Sequence, residues 1–136
     1  MEELCDQLRG LHAVDEYPVD VWKLAKGMGI RVVEREWDGL PHAICVEACR
    51  LIILNARRSE QSRRFDLAHE LGHFVLDQRS YHQDSENRFA STLLMPARVF
   101  KLEMIAALGQ HARVGKVFGL NTTVVIRRAK ELSWRG

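Results

Sequence analysis

The chain has 136 residues, enough for one domain with a real core. Its 46% hydrophobic and 28% charged residues, with only three prolines, exclude a disordered or fibrous protein. A net charge of +2 is too small to argue by itself for a nucleic-acid or membrane partner.

The amino-terminal Met1-Glu2-Glu3 is acidic and has no apolar run, so no signal peptide is read there. No apolar stretch approaches the ~20 residues that span a bilayer. The expectation is a cytoplasmic protein with Cys5, Cys45 and Cys49 as free thiols. Cys45 and Cys49 lack a second Cys/His pair at zinc-binding spacing, and read as two small buried strand residues.

A helix is predicted over residues 20–28, with Val21, Leu24, Ala25 and Met28 on one face and Gly29 as its stop. A short strand follows at 30–33. Gly39-Leu40-Pro41 breaks the chain. Residues 42–46 and 51–54 then read as two strands joined by a turn near Glu47-Ala48. The unbroken Leu51-Ile52-Ile53-Leu54 run predicts a strand covered on both faces. Ser59 is a plausible N-cap, with Glu60 in the first turn of a helix reaching Leu76. Phe65, Leu67, Ala68, Leu71, Phe74, Val75 and Leu76 make that helix apolar nearly all round, hence central and buried.

Residues 81–85 are polar and loop-like. A helix with Phe89, Ala90, Leu93 and Leu94 follows and ends at Met95-Pro96, because the residue before proline is pushed out of the helical region. Pro96 suits the first turn of another helix, running to about residue 108. A last helical pair, near 112–118 and 122–132, flanks Gly119-Leu120-Asn121, with Asn121 as N-cap.

Within the buried helix, His69-Glu70-Leu71-Gly72-His73 sets two histidines four apart, on one face about one turn from each other. Both imidazoles can then bind a single Zn2+, with Glu70 placed as the catalytic base. Two histidines and a glutamate are costly to bury without partners, which favours a metal over two satisfied core histidines. Gly72 is expected to leave room for a substrate backbone beside the metal.

A catalytic zinc needs a third protein ligand. In one large class of such enzymes it is a glutamate on a later helix, with an Asp or Asn four residues on that holds a ligand histidine's other nitrogen. Asn87 suits the holding role, but four residues before it stands Gln83. On a helix, 83, 86, 87 and 90 form one stripe, and Ala90 turns it inward. Glu86 is therefore the expected third ligand, ahead of Asp84 and then His82. A bland alternative pairs Glu86 with Arg63 or Arg64.

The run Phe65 through His73, with Asn87-Arg88-Phe89-Ala90-Ser91-Thr92-Leu93-Leu94-Met95-Pro96, resembles the ImmA/IrrE family of metallopeptidases. Pro18-Val19-Asp20, Gly29-Ile30 and the 51–55 run are similar to it as well, so the resemblance spans residues 18–132. It implies an α+β fold with a zincin-like minimal core: a small mixed or antiparallel sheet on the metal helix, then a helical carboxy-terminal part. It also implies one zinc at His69 and His73, Glu70 as base, and site-specific cleavage of helix-turn-helix repressors that control mobile elements or stress responses. Gln83 stands where such proteins usually carry the acidic ligand. One domain is expected over 1–136, with a catalytic core near 14–95 and a helical subregion at 96–136.

A rival reading lies in the last helical pair. From His111 onward Arg113, Lys116, Arg127, Arg128, Lys130 and Arg135 face a single acid, Glu131, and the glycine turn suggests a helix-turn-helix. Its reading face offers Thr122, Thr123 and Val125, with no early Arg, Asn or Gln for base readout. The pair is expected to pack on the core, with DNA affinity at most weak and nonspecific. The alternative function is therefore a repressor-binding or DNA-binding module with a degenerate metal site that does not cleave. An additional oxyanion donor is expected, which His82 or Tyr81 could supply from the loop, although each reads more simply as a solvated loop residue; a strand edge near 42–46 could hold an extended substrate.

Overall fold

A computed structural model of the chain describes residues 1–76 and 84–134. Among these the elements are α1 (Glu2–Leu11), α2 (Val21–Gly27), β1 (Arg31–Arg35), β2 (Ala43–Val46), a 3-10 turn (Glu47–Cys49), β3 (Leu51–Asn55), α3 (Glu60–Val75), α4 (Ser85–Leu94), α5 (Ala97–Ala106), α6 (His111–Phe118) and α7 (Thr122–Glu131). The class is α+β, as expected.

The sheet order is β1-β3-β2, with β1 parallel and β2 antiparallel to β3. β3 is central, yet only Ile52 and Leu54 are fully buried. Leu51 and Ile53 point to the other face and are half-buried, so the expected double cover exists on one side only. The apolar run misleads because that second face is apolar without being enclosed: Ile44, opposite Ile53, is 38% exposed.

α3 lies on the buried face of the sheet and packs along α4. Ser59 Oγ accepts from the Ser62 amide at 3.2 Å and so starts α3 where the sequence predicts. Leu67, Ala68 and Leu71 of α3 and Phe89, Ala90 and Leu93 of α4 are fully buried and meet in the centre of the core.

Two expectations need correction here. Cys49 is exposed in the 3-10 turn and Cys45 is half-buried in β2, so they are not a buried strand pair, because the turn is longer than the hairpin predicted. Asn121 precedes α7, but its side chain donates to Ser62 Oγ at 2.9 Å instead of capping the helix.

α1 has no counterpart in the sequence reading. It packs on α4 through two buried arginines. Arg9 donates to Leu93 O at 2.8 Å and pairs with Asp6. Arg128 of α7 donates to Met95 O at 3.0 Å and to Glu2 at 2.6 Å, while Glu2 Oε1 accepts from the Ala97 amide at 3.0 Å. Arginine at an inward helix position hides the apolar periodicity by which an amphipathic helix is found. No helix among the described residues is long and apolar enough to cross a membrane.

Candidate metal centre

α3 turns Asp66, Glu70 and, in part, His69 and His73 toward α4 and an open cleft. A helix places residues 66, 69, 70 and 73 along one stripe, which is why one element supplies most of the site. One donor atom each from His69, Glu70 and His73 lies within 4.8 Å of the others, and no further group joins them among the described residues. The two imidazoles stand edge to face, with centroids 5.6 Å apart.

Each histidine is held by α4. Asn87 Oδ1 lies 2.8 Å from His69 Nδ1. An amide oxygen only accepts, so Nδ1 carries the proton and Nε2 keeps its lone pair for a ligand. His73 Nδ1 lies 3.3 Å from Glu86 Oε1, and its Nε2 lies 3.5 Å from Glu70 Oε2. Both Nδ1 atoms thus face an oxygen, and Nε2 of His73 lies toward Glu70. This donor set suits zinc: soft-to-borderline nitrogens, a carboxylate beside them, and bonds of about 2 Å on either side of an ion nearly spanning the observed spacing.

Glu70 is buried, and that burial pushes its carboxyl above the usual range. His69 works against the rise, while the like charges of Asp66 and Glu86 add to it. Asp66 itself is paired with Arg58, at 2.6 and 3.3 Å.

The expected site residues fall as follows. His69, Glu70 and His73 come together, and Asn87 meets the outer nitrogen of His69. Glu86 is buried and faces inward, but it meets Nδ1 of His73 and stands outside the group of mutually close donors among the described residues. Asp84 is exposed at the start of α4. Tyr81, His82 and Gln83 lie outside the described residues. Arg63 pairs with Glu34 at 2.5 Å, and Arg64 donates to Gly119 O at 2.6 Å, so neither is the partner of Glu86.

Gly72 corrects another expectation. A Cβ there would stand 3.3 Å from Cα, Cβ and Cγ of Glu86. The missing side chain makes room for α4, not for substrate, and it is this close approach that brings Glu86 and Asn87 to the histidines.

A cavity of about 580 Å3 opens over His69 and Glu70. Leu40, Pro41, His42 and Ala43 line it on the β2 side, Arg58, Ser62, Phe65 and Asp66 on the α3 side, and Asn121, Thr123, Val124 and Arg127 opposite. The last group is Asn121 and the first turns of α7, and it shares Thr123 with the face a recognition helix would turn to DNA. Here it walls the cleft, while Val114, Phe118, Val125 and Ala129 bury the rest of the pair in the core. Sequence reasoning missed this wall because periodicity identifies a helix's buried face but not what lies across from its polar one.

The chain matches the IrrE N-terminal-like domain, a peptidase family, over residues 25–130. It belongs to that family. The match takes in β1–β3, α3, α4 and nearly all of the helical pair. No curated protein matches the chain. Among solved structures it is similar to a Mycobacterium tuberculosis transcriptional regulator, with a TM-score of 0.70 and 18% identity over 96% of this chain. That likeness shows the fold, and the family member described here spans 47% of the regulator's length.

Proposed function

We propose that the chain is a zinc-dependent endopeptidase that makes a site-specific cut in a regulatory protein, a helix-turn-helix repressor of a mobile element or stress response. The observation that carries this reading is the buried Glu70 carboxylate grouped with two histidines whose Nδ1 atoms both meet an oxygen, which leaves their Nε2 atoms for an ion. Membership of a peptidase family supports it, and the regulator with the same fold gives the choice of a regulatory substrate some support.

His69 and His73 would hold the zinc through Nε2, one ion per chain. Bound there, zinc supplies a Lewis acid that lowers the pKa of a water towards ~7 and polarises a peptide carbonyl. Glu70 takes the proton of the attacking water and delivers it to the departing nitrogen, acting first as base and then as acid. Its raised pKa suits it to carry that proton between the two moments. Asn87 fixes the His69 tautomer. Glu86, expected from the sequence as third ligand, has its carboxylate at Nδ1 of His73, where it orients the ring and makes Nε2 a better donor. β2, at the edge of the sheet and beside the cleft, suits an extended peptide held by backbone pairing.

The test is to incubate the zinc-loaded protein with the repressor encoded beside its gene. One discrete cut is expected, and Glu70→Gln should abolish it while retaining zinc. Cleavage by that variant at the wild-type rate would sink the mechanism. A second reading, a non-cleaving repressor-binding or DNA-binding module, is favoured by one observation: no third ligand joins the two histidines and Glu70 among the described residues. Zinc near one per chain without retention on DNA supports the peptidase. Retention that falls steeply with salt supports the DNA reading.

A further inference from the structure

We propose that Arg127 is a specificity-determining residue that receives an acidic side chain, Asp or Glu, of the peptide lying in the cleft. This role rests on the peptidase reading above and adds the substrate feature that the cleft selects.

α7 sends successive arginines in opposite directions. Arg128 is 1% exposed and bonded to Met95, Glu2 and Glu131. Arg127 is exposed on the cleft side, its guanidinium 5.3 Å above the centroid of Phe65. It makes no ion pair among the described residues. The other cation of the cavity, Arg58, is already matched by Asp66 at 2.6 Å. Among the described residues, Arg127 is therefore the arginine of the cleft that no acid neutralises.

Its surroundings suit one ligand chemistry. Phe65 holds the guanidinium by cation–π attraction, and the guanidinium N–H groups enter no ion pair among the described residues. A guanidinium edge matches a carboxylate with two parallel hydrogen bonds, a geometry lysine does not offer. Asn121 and Thr123, in the same wall, add neutral hydrogen-bonding groups. A nucleic-acid backbone fits less well, because it would bring a run of phosphates past Glu70 and the Arg58–Asp66 pair, whereas a peptide brings a single carboxylate to Arg127.

The experiment presents the immobilised full chain with a randomised peptide library blocked at both ends, and sequences what is retained. Asp and Glu should be enriched about tenfold at one position. Arg127→Gln should lose the enrichment, Arg127→Glu should reverse it in favour of Lys and Arg, and Arg113→Gln, exposed on α6, should leave it unchanged. Equal enrichment in wild type and Arg127→Gln overturns the proposal. So does a preference that appears only with free carboxy termini, which moves the carboxylate to the chain end. DNA-duplex binding that Arg127→Gln removes, without any peptide preference, overturns it in favour of phosphate. Retention needs no turnover, so acidic selectivity without cleavage by the zinc-loaded protein would count against the peptidase reading and not against the role of Arg127.

Discussion

Asn87 and Glu86 are neighbours in sequence but meet different histidines, because α4 crosses α3 with both side chains over the stripe of His69 and His73. Asn87→Ala frees Nδ1 of His69, and zinc affinity measured by chelator competition should fall by roughly 10–100-fold. Glu86→Gln separates the two roles of that residue. A glutamine still accepts from His73 Nδ1, so a loss under about tenfold marks an orienting carboxylate, whereas a larger loss marks a direct ligand. At the same scale, burial pushes the Cys5 thiol from an ordinary 9.0 up to about 12. Cys49 is exposed and should alkylate at pH 8, whereas Cys5 should not until the chain unfolds. The protonated Cys5 is the form the fold prefers. Its contribution to stability is therefore complete below pH 9 and declines as pH rises towards 12, which urea titrations across that window will detect.

Among elements, two glycines set how closely helices approach. Gly72→Ala puts a methyl 3.3 Å from the backbone of Glu86, so α4 must back away from α3. The expected cost is about 1–3 kcal/mol in urea unfolding, with weaker zinc binding because both outer partners ride on α4. Gly115→Ala is expected to cost more. Its Cβ would stand 2.7 Å from Leu120 O, in the backbone of the turn between α6 and α7. Much at this scale is legible beforehand. Ser59, the glycine turn and Met95-Pro96 all mark boundaries, because caps and prolines act on the backbone within a few residues of themselves. α1 is not legible, since its inward position 9 is an arginine whose partners are the carbonyls of α4.

For the molecule as a whole, α1 and α7 clamp the end of α4 from two sides, with Arg128 as the shared bond. Arg128→Ala leaves Met95 O and two carboxylates without their partner. Glu2 is 43% exposed, so solvent takes up part of the loss, and a destabilisation of about 3 kcal/mol is expected. Equilibrium urea denaturation measures it directly. The clamp stands at the far end of α4 from Asn87, and a destabilised but folded variant should still bind zinc.

By itself, the sequence determined the family, the clustering of His69, Glu70 and His73 and most helix boundaries. Those features live in short spacings, where helical geometry alone brings residues to one face. Only the tertiary structure decided the company these residues keep: Glu86 at the outer nitrogen of His73, Gly72 beneath α4, and the start of α7 across the cleft from His69. Each depends on how two helices cross, and the crossing follows from side-chain shapes distributed over the whole core. No local pattern encodes it.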